Sequence, residues 1–188
     1  MSVDAARRDW LRRGAGLGLA GWACRVTAAE IDLQRHGLVL LIRHAITDAG
    51  IGDPPGFQLG VCSTQRNLNA DGRAQARRLG VQIAERGWAP QRVRSSAWCR
   101  CIDTAQEAFG RSEPWSALNS VFQGRNSEPA QTAALRVALA ALERGRIEAW
   151  VTHQVNVTAL TGQSVSMGEV LLLRGGAAEA VVVGRWAA

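Results

Sequence analysis

Residues 38–44 read LVLLIRH, and this stretch says most about the fold. Its first five residues form an uninterrupted apolar run, which is typical of a strand buried on both faces of a sheet. From Gly37 onward, strands and helices alternate without repeats or low-complexity sequence. Further strands are predicted at 92–95, 115–118, 147–152, 170–173 and 180–183, the last two as a terminal hairpin or edge pair.

The segments between these strands carry helical signals. Asn69 is a predicted N-cap for an amphipathic helix over 70–86, which Gly87 closes. A second helix is predicted after Ser96, which we take as its cap, and a third from Ser127 to Arg144. A short fourth helix is predicted to end at Gly162. Strands that alternate with helices imply a mostly parallel sheet covered on both faces, and therefore a three-layer α/β sandwich.

Length and composition exclude several classes of protein and of catalytic mechanism. The chain has 188 residues, which suits one domain of ordinary size, and it is 47% hydrophobic and 20% charged, as a globular protein is. All 22 positively charged side chains are Arg. The absence of Lys excludes a Schiff-base lysine and the lysine of a P-loop, and the absence of Tyr excludes a tyrosine acid or nucleophile. The four Cys form no CxxC pair, so a zinc knuckle or thioredoxin motif has little support.

The net charge of +6 does not by itself predict a nucleic-acid-binding protein. Five Arg against two Asp give residues 1–29 half of that charge, and the other half is spread over the rest of the chain. A duplex-binding face usually needs a denser basic run. We therefore expect no nucleic-acid partner.

Residues 1–29 are predicted to be an export leader, and residues 30–188 the functional domain. Arg7 and Arg8 precede an uncharged run of ten residues, 14–23, and small residues follow near Ala28. Ten residues are too few for an integral membrane span, which needs about 20. The paired arginines are similar to a twin-arginine signal, which predicts a periplasmic protein. The alternatives that stay open are a wrongly extended start or an amphipathic surface helix, with the protein then cytoplasmic, and lipidation at Cys24.

Export to an oxidising compartment would allow a disulfide in the mature domain. Cys62 could pair with either Cys99 or Cys101, and the sequence alone does not decide between the two.

Polar residues cluster where three predicted strands end. Arg43 and His44 end the first strand, Arg100 lies one turn into the helix after the second, and His153 follows the strand at 147–152. The carboxyl ends of parallel strands share one edge of a sheet, where ligands bind. No obvious carboxylate accompanies these side chains. Two imidazoles and two guanidiniums predict a pocket for a phosphate dianion.

Four blocks of residues follow one another on these elements: Arg43-His44-Ala45; Leu68 with Gly72, Gln75 and Ala76; Ser95 and Ser96 with Arg100, Thr104 and Ala105; and Thr152-His153. In this order they resemble the histidine phosphatase superfamily, in its phosphoglycerate-mutase-like branch. The resemblance spans about Leu38 to Leu173. It implies a phosphoglycerate mutase-like fold and no metal or other cofactor.

The resemblance also implies catalytic roles. His44 would be the nucleophile that becomes phosphohistidine, Arg43 and Arg100 would clamp the phosphoryl oxygens, and His153 would complete the pocket. Thr47 stands where the family often has a polar residue that faces the phosphate. His36 precedes the first strand and should lie at its other end, so a metal site shared with His44 and His153 is not expected.

The general acid is the main departure from the family pattern. One branch places an Asp directly after the second His, where this chain has Gln154. The other uses a Glu in the loop after the third strand, where Glu128 is the nearest candidate, although a first-turn Glu also suits the helix dipole. Arg125, in the same loop, is a candidate for selecting an anionic substrate.

These residues predict a metal-independent phosphatase that hydrolyses a small phosphomonoester through His44, a phosphoric monoester hydrolase of the histidine acid phosphatase type. The alternative is a protein of the same fold that binds phosphate or another anion with weak or no turnover.

Overall fold

The computed structural model describes residues 35–122 and 127–187. Within them lie six strands and four helices: β1 (Leu38–Arg43), α1 (Ala70–Glu85), β2 (Arg92–Ser95), α2 (Cys99–Phe109), β3 (Glu113–Pro114), α3 (Glu128–Ala140), β4 (Ile147–Thr152), α4 (Gln154–Thr161), β5 (Glu169–Arg174) and β6 (Val181–Ala187). The predicted leader over 1–29 and Arg125 fall outside the described residues. None of the described helices is long and apolar enough to cross a bilayer.

The six strands form one sheet in the order β3-β2-β4-β1-β5-β6. Strand β1 pairs in parallel with β4, and β2 pairs in parallel with both β4 and β3. The last two strands add antiparallel pairs, β1 with β5 and β5 with β6. The mostly parallel sheet and the terminal antiparallel pair are thus confirmed. The carboxyl ends of β1, β2 and β4 meet at one edge.

Helices cover both faces of the sheet, which confirms the three-layer sandwich. On one face, Leu79 of α1 and Ala105 of α2 pack into an apolar cluster with Leu38, Leu40 and Ile42. On the other face, Leu135 of α3 and Val157 of α4 pack with Val39 and Leu41. Alternate residues of β1 thus enter opposite clusters, as the two-residue period of a strand requires. The LVLLI run is apolar throughout because both of its faces are buried.

The strand predicted at 115–118 is wrong. The sheet contains only the two residues of β3 here, and Ser116–Leu118 form a short 3₁₀ helix. The neighbouring residues Ala117 and Leu118 are both buried in the same apolar cluster. A strand would send these neighbours to opposite faces, whereas the 3₁₀ turn allows both to face the core.

Two helix boundaries also differ from the prediction. Helix α2 begins at Cys99 rather than directly after Ser96. The Ser96 hydroxyl accepts from the Trp98 amide at 3.3 Å and lies 2.8 Å from Nε2 of His153. Helix α3 ends at Ala140 rather than near Arg144. Beyond its end, the Leu142 side chain packs closely against Gly37 and Gly175. Helix α1 begins as predicted, since the Asn69 side chain accepts a hydrogen bond from the Gly72 amide.

Candidate active site

A cavity of about 550 Å³ opens at the edge of the sheet where β1, β2 and β4 end. Four of the residues predicted to act together line it: Arg43, His44, Arg100 and His153. These residues are far apart in the sequence, and the parallel strands bring them to one place. The predicted gathering of two imidazoles and two guanidiniums is therefore present in the structure.

Strand pairing fixes the two histidines next to each other. Arg43 is in register with Thr152, the last residue of β4, so His44 and His153 both follow the ends of neighbouring strands. The His44 amide continues the pairing by donating to the Thr152 carbonyl at 2.9 Å. The two rings meet edge to face, with centroids 5.5 Å apart.

The ring of His44 is held in one tautomer. Its side chain is only 3% exposed, and Nδ1 lies 2.9 Å from the Ala45 carbonyl oxygen. A carbonyl oxygen can only accept, so the proton is on Nδ1 and Nε2 keeps its lone pair. Burial lowers the pKa of His44 to about 3, outweighing the opposite effect of the Ala45 hydrogen bond, and the positive charges of Arg100 and Arg43 lower it further. His44 is therefore neutral near pH 7 and has a nucleophilic nitrogen.

Side chains from α1 and α2 hold the backbone after His44. The Ala45 amide donates to Oγ1 of Thr104 at 3.0 Å, and the Ile46 amide donates to Oε1 of Gln75 at 3.1 Å. Gln75 also donates from Nε2 to the Met167 carbonyl. Gly72 makes the close packing possible, because a Cβ there would lie 1.8 Å from the Ile46 carbonyl oxygen. Several residues that carried the family resemblance thus position the loop that contains His44.

His153 directly precedes α4 and is 4% exposed. Its Nε2 lies 2.8 Å from the Ser96 hydroxyl and 3.5 Å from Sγ of Cys101. Burial lowers the pKa of His153 well below its usual range, and the neighbouring His44 and Arg100 add to that effect. His153 is therefore also neutral. Burial raises the pKa of the Cys101 thiol to about 12, so Cys101 is not a nucleophile near neutral pH.

The structure corrects the expectation that no carboxylate accompanies the arginines. Asp53, in the loop after β1, pairs with the buried guanidinium of Arg100: Oδ1 lies 2.6 Å from Nη1, and Oδ2 lies 3.2 Å from Nη2. The same carboxylate accepts from the Trp98 indole at 2.9 Å and from the Arg66 amide at 3.1 Å. Burial alone raises the pKa of Asp53, but Arg100 and the other donors lower it below its ordinary value. Asp53 is therefore ionised and fixes Arg100.

Arg66 is a third guanidinium in the cavity wall. Its Nη1 donates to the Gly50 carbonyl at 2.7 Å, and Nη1 of Arg43 donates to the Val165 carbonyl at 2.7 Å. The Nε groups of Arg43, Arg66 and Arg100 are all buried and have no hydrogen-bond partner among the described residues. Three guanidiniums against one carboxylate leave an excess of two positive charges. That excess matches a phosphoryl dianion, which accepts several charge-assisted hydrogen bonds.

Sequence reasoning missed Asp53, Arg66 and Trp98. Arg66 had a signal, since it precedes Leu68 of the second motif block by two residues. Asp53 and Trp98 had none, because both lie in irregular segments without periodicity.

The other predicted substrate-binding residues are placed differently. Thr47 is buried, and its hydroxyl faces Sδ of Met167 at 3.8 Å. Glu128 lies in the first turn of α3. Neither is among the residues that line the cavity. In residues 35–122 and 127–187, no group of three or more His, Cys, Asp or Glu side chains is arranged to hold a metal ion.

A disulfide joins Cys62 to Cys99, and Cys101 is free and buried. The structure thus selects one of the two pairings left open by the sequence. Cys62 lies in the loop between β1 and α1, and Cys99 begins α2 directly before Arg100. The bond therefore ties the loop that contains Asp53 and Arg66 to the start of the helix that contains Arg100.

Comparisons with known proteins agree with this arrangement. Residues 39–121 match the sequence model of the histidine phosphatase superfamily (branch 1). No curated protein is similar enough in sequence to match the chain. Among solved structures, it resembles YhfR of Bacillus stearothermophilus, with 15% identity, a TM-score of 0.59 and coverage of 78% of this chain and 95% of that chain.

Two further structures share the fold. The protein histidine phosphatase SixA, complexed with tungstate, is 14% identical with a TM-score of 0.58, over 80% of this chain and 96% of that chain. Phosphoserine phosphatase from Entamoeba histolytica, in complex with 3-phosphoglyceric acid, is 15% identical with a TM-score of 0.58, over 81% of this chain and 98% of that chain. The match to residues 39–121 and the shared fold thus confirm the resemblance of this chain to the histidine phosphatase superfamily.

Proposed function

We propose that this protein is a metal-independent phosphatase that hydrolyses phosphomonoesters through a phosphohistidine on His44. In class it would be a phosphoric monoester hydrolase of the histidine acid phosphatase type. The observation that carries the proposal is the neutral His44 ring, whose Nδ1 proton is held by Ala45 so that Nε2 keeps a lone pair in an arginine-lined cavity. The phosphatases among its structural neighbours add support.

In the first step, Nε2 of His44 attacks phosphorus in line with the leaving oxygen. The N–P bond forms as the P–O bond breaks, and the electron pair departs with the leaving group. Arg43, Arg66 and Arg100 stabilise the equatorial oxygens as their charge redistributes. The arginines supply the positive charge that a metal ion provides in other phosphatases.

In the second step, a water oxygen attacks phosphorus, the N–P bond breaks and its electron pair returns to Nε2 of His44, while the protons of the water stay on the released phosphate or pass to solvent. The products are inorganic phosphate and the neutral His44 ring, ready for another cycle. His153, whose Nε2 lies 2.8 Å from the Ser96 hydroxyl, would lie beside the phosphoryl group in both steps.

Protonation of the leaving group is the weak point of this site. Asp53 is the one carboxylate among the described residues that line the cavity, and its ion pair with Arg100 keeps it ionised. A missing general acid typically costs about 10²- to 10⁴-fold with a poor leaving group. The site should therefore favour substrates whose leaving oxygen departs without protonation.

The proposal is tested by steady-state assays with a panel of phosphomonoesters, in which wild type is compared with His44→Ala. We expect turnover by wild type, no loss of rate with a chelator, and no measurable turnover by His44→Ala. Activity of His44→Ala equal to wild type would refute the mechanism. Circular dichroism of the variant checks that it folds.

Among the described residues, no protonated carboxylic acid lines the cavity, and this also favours a second candidate function, an anion-binding protein with weak or no turnover. Binding of inorganic phosphate by wild type, without hydrolysis of any substrate in the panel, would support this alternative.

We also propose that residues 1–29 are an export leader and that the domain from residue 30 works in the periplasm. The Cys62–Cys99 disulfide supports this localisation, because such bonds persist mainly in oxidising compartments.

A further inference from the structure

Aromatic rings form a continuous wall from the nucleophile to the outer part of the cavity. The His44 ring contacts His153, whose ring lies 5.4 Å from that of Trp98 between centroids. Trp98 in turn lies 5.9 Å from Phe57, which is half-buried in the loop after β1. All four side chains line the same cavity. A group bound next to His44 therefore has aromatic surface beside it along the way out.

Further apolar side chains line the cavity. Ile51 is 91% exposed and Phe122 is 49% exposed, although both line the cavity. Val155 and Met167 also belong to the lining. We call Ile51, Phe57 and Phe122 the rim. Exposed apolar side chains that cluster at a cavity commonly mark a binding surface.

Few charged side chains accompany this apolar surface. The charged side chains of the described lining are Asp53 and the three arginines. Asp53 links Arg66 and Arg100 directly, through the Arg66 amide and the Arg100 guanidinium. The phosphoryl group accepts the hydrogen bonds of these arginines, so the rest of the substrate contacts mainly apolar and aromatic side chains.

The cavity is larger than one phosphoryl group needs. Its volume of about 550 Å³ is typical of sites that hold a drug-sized ligand and bury most of its surface. The remaining space adjoins the aromatic wall and is where a leaving group would lie.

We propose that the preferred substrates are aryl phosphates, with the phosphoryl group between His44 and the arginines and the aromatic ring against Phe57, Trp98 and Phe122. This inference rests on the proposed phosphatase function. A planar ring packs favourably against tilted or edge-on aromatic side chains.

The chemistry of the leaving oxygen also favours aryl phosphates as substrates. When Nε2 of His44 forms the N–P bond, the aryl P–O bond breaks and the phenoxide departs with the electron pair, then takes its proton from water. A phenol has a pKa of about 10, like the Tyr side chain, and is a much better leaving group than an aliphatic alcohol. An aryl phosphate therefore tolerates a site without a general acid.

Two measurements distinguish the effect of a good leaving group on the rate from the effect of the aromatic ring on binding. Phenyl phosphate and benzyl phosphate both carry a ring, but only phenyl phosphate releases a phenoxide. We expect kcat/KM to be about 10²-fold higher for phenyl phosphate, the lower end of the usual effect of a general acid. Equal kcat/KM values for the two esters would overturn the leaving-group argument.

Ring binding is measured without turnover by calorimetry with phenylphosphonate and methylphosphonate. We expect phenylphosphonate to bind wild type about tenfold more tightly, since burying part of a ring is worth roughly 1.5 kcal/mol. Phe57→Ala and Phe122→Ala should each reduce this ratio. Val137→Ala, an exposed apolar side chain on α3, is the matched control and should leave it unchanged.

The outcomes distinguish this inference from the proposed function. Equal affinity for the two phosphonates, or a ratio unaffected by both Phe variants, would overturn the aryl site while leaving the phosphatase proposal intact. Tighter binding of phenylphosphonate, with no hydrolysis of either ester, would instead keep the aryl-binding site and refute the phosphatase.

Discussion

The floor of the cavity and its rim are built by different means. The floor consists of Arg43, His44, Arg100 and His153; strand ends place three of these residues, and the start of α2 places Arg100. The rim comes from irregular segments, in which Ile51 and Phe122 stay exposed. The proposed chemistry therefore depends on the paired backbone of the sheet, whereas the proposed choice of substrate depends on loops. Cross-links between loop and helix, the Cys62–Cys99 bond and the Asp53–Arg100 pair, join the two regions.

Removing the disulfide should have the largest effect on stability. The bond closes a loop over a sequence separation of 37 residues, for which the chain-entropy relation gives about 4 kcal/mol. We expect the Cys62→Ser, Cys99→Ser double variant to lose about that much free energy of unfolding, measured by urea denaturation. Wild type unfolded with a thiol reductant should show the same loss.

A loss in the double variant below about 1 kcal/mol would mean that the bond restricts the unfolded chain far less than its loop length implies. The Asp53–Arg100 pair would then be the more important link between the rim and the floor.

Asp53→Asn tests whether the loop after β1 positions the floor. The substitution keeps the size of the side chain but removes the charge that pairs with the buried Arg100 guanidinium. Small misplacements of a catalytic group cost about 10²-fold, and we expect kcat/KM to fall by that factor. Asp53→Glu should recover part of the loss, because the carboxylate is restored.

Asp103→Asn is the matched control for Asp53→Asn. Asp103 also pairs with an arginine, Arg73, at 2.8 Å, but at the surface, where such pairs contribute about 0 to 1 kcal/mol. The kcat/KM of the Asp103→Asn variant should equal that of wild type. Equal kcat/KM in wild type and Asp53→Asn would show that Arg100 holds its position without the loop.

Acid should destabilise the folded protein through the buried histidines of the floor, since none of the three rim side chains titrates. The folded protein holds His44 with a pKa of about 3, whereas an unfolded histidine titrates near pH 6.5. Below about pH 6.5 the unfolded chain binds more protons, so stability is fully present above that pH and falls as the pH approaches 3. Each pH unit in this window should cost about 1.4 kcal/mol through His44, and His153 acts in the same direction.

Urea denaturation between about pH 7 and pH 5 measures this slope. The His44→Gln variant should show a shallower dependence than wild type, because His153 is then the one buried histidine left among the described residues. A stability that is flat across this range in wild type would mean that the floor histidines are not held neutral.

Most of the fold was predictable because it rests on periodicity and caps. The apolar run of β1, the Asn69 cap of α1 and Gly162 after α4 each identify an element locally. The strand prediction at 115–118 was wrong because its apolar residues suit a strand and a buried 3₁₀ turn equally well. Only packing against α3 and α4 decides between the two conformations.

The floor was predictable for a related reason, since strand ends of a parallel sheet must share an edge. Asp53, Trp98 and Phe57 were not predictable. Their roles depend on how a long loop folds back over α2, and that depends on one disulfide and one buried ion pair rather than on any repeating pattern.

The central claim is that Nε2 of His44 takes the phosphoryl group. It is tested most directly by mass spectrometry of wild-type protein quenched during turnover of phenyl phosphate. We predict one phosphate adduct, stable in alkali and labile in acid, on the peptide that contains His44, and none in His44→Ala. A phosphate on Ser96 or His153, or turnover with no adduct on His44 at any quench time, would contradict the account.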